Sequence, residues 1–401
     1  MPAAPGAKHA DTDRDHDRPG GVSFIRGSGE GRYVFEVQSG LVLGNAQDIG
    51  PIDVKAYDYM RSIVLLVQTT AAGGGTVTST FSSDAVFNTV SYLRVKQPNG
   101  QTMYSVSSGY HAAMIQKYGL VRPAPWGCDP RQDEIFTNVG LGSQASLGGN
   151  VAGTAPVINF ALRIPFELDL RDALGALPNK DAAAPFTIEL GLNSTSTIFT
   201  LAPQTAPTIK ITPILEAYDQ PPETLDGKGV ETTPPNMNTL QRWTEQSVTM
   251  ASGSFDVRVR KLGNYVRDLV FITKSSAGAR LTAANGWSDP VQIVLDEDIK
   301  DNLPLRVWEK DIGEIWGYGR LLGGATVAPA LDTAGGQDTG VFPYQYAASR
   351  DNPFVEDVAK YLPTIESEDY LVRGQSWGAN VSKMVILKGE VLPRGDIFGD
   401  A

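Results

Sequence analysis

YMRSIVLLVQTTAA, Tyr59 to Ala72, returns 206 residues later as YVRDLVFITKSSAG, Tyr265 to Gly278. Tyr59 answers Tyr265, Arg61 answers Arg267, Val64 answers Val270 and Ala71 answers Ala277. Most other positions exchange like for like, Ile63 for Leu269 and Leu66 for Ile272 among them. Four identities in fourteen positions do not make a repeat alone. A second marker does: DALGALP, Asp172 to Pro178, answers DVAKYLP, Asp357 to Pro363, at an offset of 185. Similar segments in a fixed order are the mark of an internal duplication, here with a period of roughly 190 residues, the size of a domain and not of a solenoid unit. Within each copy the apolar residues run on without alternation, Ile63 to Val67 and Leu269 to Ile272. A half-solvated strand alternates; a continuous run suits a strand covered on both faces. Each repeat is therefore expected to carry a strand with its own core on one side and another barrel or subunit on the other.

A chain of 401 residues is long for one core and comfortable for two. Hydrophobic residues make up 41% and charged residues 20%, ordinary for a globular protein. Gly 42 and Pro 26 together come to about a sixth of the chain, which favours turns and short strands over long helices. The net charge of −11 repels nucleic acid and anionic lipid headgroups at long range. No run of 18 apolar residues is present to span a membrane, and the N-terminus lacks the apolar core of a signal peptide. The single cysteine, Cys128, excludes an internal disulfide and an all-Cys zinc site, and reads as a small, partly buried side chain.

Outward from the repeat, residues 1–31 are dominated by Ala, Pro, Gly and Asp without a period, and read as a disordered arm. Its run Asp11 to Arg18 reads as solvated charge, and Phe24 and Ile25 as an apolar anchor on a neighbour. Tyr33, Phe35 and Val37 open the strands by alternation. Val90 to Val95 is a strand closed by the Asn99-Gly100 hairpin turn. Tyr110 to Tyr118 is a short helix stopped by Gly119 at C′. Ile158 to Leu170 alternates strictly for thirteen residues and predicts a long sandwich strand, followed by a short helical turn over DALGALP. Phe186 to Leu192 alternates again, and Pro213 after Ile209 and Ile211 predicts an edge position or a bulge.

The four prolines of residues 219–236 mark an exposed connector, with a short helix expected after Asn236 or Asn238, anchored by Leu240 and Trp243. The second half resumes with Phe255, Val257 and Val259, the repeated strand, and Val291 to Leu295. Asp296 to Asn302 has the composition of a calcium loop but not its order or closing Glu, and reads as a solvated turn. Leu305 to Trp308 and Ile315 to Tyr318 lead into a Gly/Ala-rich loop, 319–340, the shorter counterpart of 119–157. Loops of such length carry function or an intersubunit contact as a rule.

Catalytic constellations are missing. Of the three histidines, His9 and His16 lie in the arm, and His111 reads as a surface or satisfied side chain. No phosphate-binding loop follows a strand; the Gly73 to Gly75 triplet lacks the lysine and helix it would need. No catalytic, cofactor-binding or metal-binding residue is assigned, and no cofactor is expected.

Two similar all-β halves, an N-terminal arm, long inserted loops and this missing chemistry form a set. Through the YMRSIVLLVQ/YVRDLVFITK strand, the segment LRIPFELDLRDALGALP and the Pro-rich connector, the chain resembles the double jelly-roll major capsid proteins of tectivirus-like, internal-membrane bacteriophages. The resemblance implies two tandem eight-stranded jelly rolls, at 32–218 and 244–397, flanked by the arm 1–31, a linker with a short helix at 219–243 and a tail at 398–401. It implies pseudo-hexagonal homotrimers tiling an icosahedral virion shell around an internal membrane, and assembly in the host cytoplasm. Neighbouring trimers, minor vertex proteins and the membrane (through the termini) are the implied partners, with no direct nucleic-acid contact. The loops at 119–157 and 319–340 would project as towers or meet neighbouring trimers. Arg61 and Arg267 are expected to matter for packing at the barrel junction. A two-domain jelly-roll carbohydrate-binding or glycan-processing protein is the alternative, and it should carry a signal peptide.

Overall fold

The computed structural model describes residues 21–71, 79–82, 84–119, 158–169, 172–235, 237, 239–260, 263–281, 287–316, 340–346, 360–365, 367–376 and 381–392. Residues 1–20, with Asp11 to Arg18, His9 and His16, Cys128, the body of the 119–157 loop, all but the last residue of 319–340, and the tail lie outside them.

Strands dominate. The first half runs through helix α1 (Phe24–Gly27), β1 (Glu30–Val34), β2 (Gln38–Val42), β3 (Gln47–Asp53), β4 (Tyr57–Ala71), β5 (Thr80–Phe81), β6 (Val90–Lys96), β7 (Thr102–Val106), helix α2 (Gly109–Tyr118), β8 (Asn159–Pro165), β9 (Leu177–Asn179), β10 (Thr187–Leu192), helix α3 (Thr195–Ile198), β11 (Phe199–Leu201) and β12 (Thr208–Tyr218). A small hairpin, β13 (Thr224–Leu225) and β14 (Lys228–Gly229), lies in the connector. The second half runs through β15 (Leu240–Thr249), β16 (Gly253–Arg258), β17 (Tyr265–Lys274), β18 (Val291–Leu295), β19 (Asp298–Leu303), helix α4 (Leu305–Trp316), β20 (Val341–Gln345), β21 (Leu362–Pro363), β22 (Tyr370–Ser376) and β23 (Lys383–Leu392).

Both halves close on the same plan. In the first, β1 and β2 pair with β12, which pairs with β4, which pairs with β8; the facing sheet is β3-β10-β6-β7. In the second the corresponding sheets are β15-β23-β17-β20 and β16-β22-β18-β19. Counting β1 and β2 as one, the main strands of each half stand in the sheet orders 1-8-3-6 and 2-7-4-5, two Greek keys wound into a jelly roll. The duplication is confirmed in register. Tyr59 stands opposite Pro178 and Met60 opposite Leu177; in the second half Tyr265 stands opposite Pro363 and Val266 opposite Leu362. The two markers found in the sequence are thus strand partners of one another, in the same alignment, in each barrel.

The continuous apolar runs part company. β17 is buried on both faces from Val266 to Thr273, whereas β4 keeps Val64 and Leu66 half-exposed. Among the described residues, only the second copy has its outer face covered within the chain.

Several expectations are corrected. Residues 240–249 form strand β15, not a helix: Leu240 and Trp243 suit one helical face, but pairing with all of β23 wins, and the second barrel opens at 240. β8 ends at Pro165, short of Leu170; Phe166 and Glu167 both donate to the Arg61 carbonyl, so pairing stops while Phe166 and Leu168 stay buried. DALGALP is a tight turn leading into β9. Pro213 lies on an inner strand, opposite Leu65, where β1 hands over to β2 and Phe35 N–H donates to the Pro213 carbonyl. Its missing N–H falls in a gap of the ladder. Phe24 anchors on its own barrel, edge-on to Tyr59 (5.2 Å) and Tyr218 (5.7 Å), and residues 21–31 are ordered there. Leu305–Trp316 is one helix, with Trp308 and Ile312 buried. Asp296 to Asn302 belongs to the β18–β19 hairpin; the Asp296 carboxylate accepts from the Glu368 and Asp369 amides.

Candidate functional site: the seam between the barrels

Two jelly rolls make one rigid subunit only if something ties them together, and helix α2 supplies the tie. Ser108 caps its start by accepting from the Tyr110 amide. Most of its side chains are buried, from Tyr110, Ala112, Met114 and Ile115 to Tyr118, because the helix is enclosed by its own barrel and by the second. A helix that is apolar around most of its circumference belongs inside a protein.

Trp243 is the pivot. It sits on β15 in a parallel bridge to Tyr104 on β7, the junction that fuses the β3-β10-β6-β7 sheet of one barrel with the β15-β23-β17-β20 sheet of the other. Its indole, 1% exposed, fits between two glycines. A Cβ on Gly119 would lie 2.4 Å from the ring, and one on Gly389 would lie 2.9 Å from it. Gly119 ends the helix as expected, with φ at −97°, a conformation open to any residue; space for the indole is what requires glycine.

Polar bonds cross the seam at both ends of α2. At the start, Glu245 of β15 accepts from the Ser107 amide (2.7 Å) and hydroxyl (2.5 Å), and pairs with His111 Nδ1 at 2.8 Å. Burial works to raise the Glu245 pKa, but the bonds from His111 and Ser107 outweigh it and hold the carboxyl at about 2. His111 is therefore a buried, satisfied side chain on its Nδ1 side. At the far end, the buried Arg267 of β17 donates to the Gly119 carbonyl (2.6 Å) and pairs with Asp268 (2.8 Å). The Gln241 amide oxygen accepts from Trp243 Nε1 (3.1 Å) and from Arg267 (2.8 Å), and Gln345 donates to the Tyr118 carbonyl (3.0 Å). Further along, Lys274 reaches Asp84 of the first barrel at 2.7 Å. One apolar core runs through both barrels, from Phe35 to Leu387.

Arg267 thus lies at the junction, as expected. Arg61, its repeat partner, does not: it bonds Glu167 (2.9 Å) and Glu30 (2.5 Å) within the first barrel and lies over the Tyr218 ring at 4.4 Å. Burial raises the Glu167 carboxyl despite the opposing pull of Arg61. The sequence reading missed the Trp243–Gly119–Gly389 wedge. The signal was there in part, since the Thr and Val content of 244–249 favours a strand. Among the described residues no group of three or more His, Cys, Asp or Glu is placed to hold a metal ion, and no helix is long and apolar enough to cross a membrane.

No family model matches the chain, and no curated protein matches it. Solved structures do. The major capsid protein of STIV superposes with a TM-score of 0.58 at 14% identity, over 93% of this chain and 100% of that one. The major capsid protein P2 from Bacteriophage PM2 gives 0.50 at 11% identity, over 92% and 99%. The PBCV-1 virus capsid gives 0.55 at 10% identity, over 91% and 93%. At such identities the likeness speaks for architecture. The chain has the fold of these double jelly-roll capsid proteins, nearly end to end.

Proposed function

We propose that this chain is a major capsid protein, the structural subunit of an icosahedral virion shell. The observation that carries the reading is the pair of jelly rolls with identical strand order, fused side by side through one continuous sheet. A duplicated barrel gives a subunit with two similar lobes. Three such subunits present six lobes, so a threefold assembly fills a sixfold position in a lattice. The coverage of the three capsid proteins, close to complete on both sides, supports the same reading.

The finer form is a homotrimer with neighbouring trimers, minor vertex proteins and an internal membrane as its partners, in a virus of the tectivirus-like kind. The half-exposed Val64 and Leu66 on the outer face of β4 suit a contact between subunits, because their counterparts on β17 are buried. The net charge of −11 suits a coat kept apart from nucleic acid. Size-exclusion chromatography with light scattering is expected to give three times the 43.0 kDa chain mass. A stable monomer at micromolar concentration would overturn the trimer.

A further inference from the structure

On the seam, between the outward face of β6 and β7 and the strands β15 and β23, lies a cleft of about 470 Å³. Both barrels supply its walls. Arg94 and Lys96 come from the first, and Arg242, Arg260 and Lys388 from the second, with Glu245 at its margin. Five cations face one space in a chain whose net charge is −11.

Two of the five have partners. Lys96 pairs with Glu189 and Lys388 with Glu390, each at 2.6 Å. Lys388 also donates to the Arg260 carbonyl. Glu245, held ionised by His111 and Ser107, offsets one of the five charges and leaves the cleft an excess of cations. Arg94, Arg242 and Arg260 form no ion pair with a carboxylate among the described residues; Arg94 lies over the Tyr92 ring at 5.1 Å. Arg242 Nε is buried and has no hydrogen-bond partner. A buried donor left unmade costs the desolvation of that group. The cations also act on one another: burial lowers the Lys388 pKa, and Arg242 and Arg260 push it further down against the pull of Glu390. Arrangements of this kind are stabilised when a negative ligand enters.

We propose that this cleft binds a multivalent phosphate-class oxyanion, free in solution, which bridges the two barrels and locks the seam. The guanidinium fork matches the paired oxygens of a phosphate group, and two or three forks from different strands suit a ligand with more than one such edge. The volume is that of a small-molecule cleft. Because the walls come from both barrels, binding to the folded chain alone raises its stability by mass action. The inference concerns one subunit and is independent of how subunits assemble.

The test is calorimetric titration of the purified full-length chain, in its native oligomeric state, with sodium pyrophosphate at low ionic strength, alongside a thermal melt. One site per chain and a raised melting temperature are expected. The double variant Arg242→Gln/Arg260→Gln should lose at least about tenfold in affinity, since each substitution removes charge-assisted bonds, and its melt should no longer respond. Arg373→Gln, on the far sheet of the second barrel and paired with Asp256, should bind like the parent. Should the double variant fail to fold, Arg94→Gln decides, because Arg94 is exposed and outside the core. No binding heat, undiminished binding by the variants, or an equal loss in Arg373→Gln overturns the proposal. Silence because a neighbouring subunit's carboxylate fills the cleft counts against it in the same way.

Discussion

Gly119 shows how much a single side chain, or its absence, decides here. Its backbone is compatible with any residue, and what excludes a methyl group is the Trp243 ring and the Ile115 carbonyl beside it. Gly119→Ala is therefore expected to destabilise the fold by about 1–3 kcal/mol through overpacking, read as a fall in the urea midpoint at unchanged slope. A neutral result would mean that the indole has room to shift. Glu245 makes a second prediction at this scale. Its folded pKa of about 2 lies below the ordinary 4.5, so the stability it contributes is complete above 4.5 and is lost as pH falls through about 2. A shift of that size corresponds to at most about 3 kcal/mol. Urea unfolding between pH 5 and pH 2.5 should show stability falling with pH, and Glu245→Gln should flatten that slope. An unchanged slope in the variant would assign the acid sensitivity elsewhere.

At the scale of elements, the two copies of the founding strand have diverged in what covers them. β4 and β17 occupy the same place in their barrels and keep the same register with β9 and β21. Yet β17 is roofed by the first barrel and its helix α2, while β4 presents Val64 and Leu66 outward. The arginine they share has taken two roles. Arg61 closes a surface-facing network with Glu30 and Glu167, whereas Arg267 is 2% exposed and ties β17 to the end of α2. Replacing Arg267 with Met keeps much of the volume but leaves Asp268 buried beside an apolar side chain. A cost of about 3–5 kcal/mol is expected, as for other broken buried pairs. Arg61→Met should cost less, since Glu30 is exposed to water and the buried Glu167 keeps the Tyr218 hydroxyl as a donor. Equal losses in paired denaturation curves would contradict this division.

For the molecule as a whole, the shared sheet and the common core make two barrels one cooperative body. Chains with two separate domains often unfold in two steps. Here calorimetry should give a single transition, because opening either barrel exposes the faces of α2 and Trp243 that the other covers. Two resolved peaks would mean that the seam is weaker than its packing implies. A stiff two-lobed subunit is also what a shell lattice asks of its tile, since a hinge at the seam would spread strain through every neighbouring contact.

The all-β class and the duplication were legible in the chain itself. Both are local properties, written in the period of apolar side chains and in the order of similar segments, and strand pairing then placed Tyr59 and Tyr265 as the order demanded. The β6–β7 hairpin was legible for the same reason, because Asn99-Gly100 sets a turn within a few residues. The seam was not. Whether Leu240 to Thr249 becomes helix or strand is decided by β23, more than 130 residues away in the chain. Whether Gly119 and Gly389 are turn residues or room for an indole is decided by Trp243. Arg94, Arg242, Arg260 and Lys388 likewise converge only when two sheets join. Propensity and periodicity act over a few residues, whereas a packed interface is a relation between distant ones, and the tertiary structure alone decides it.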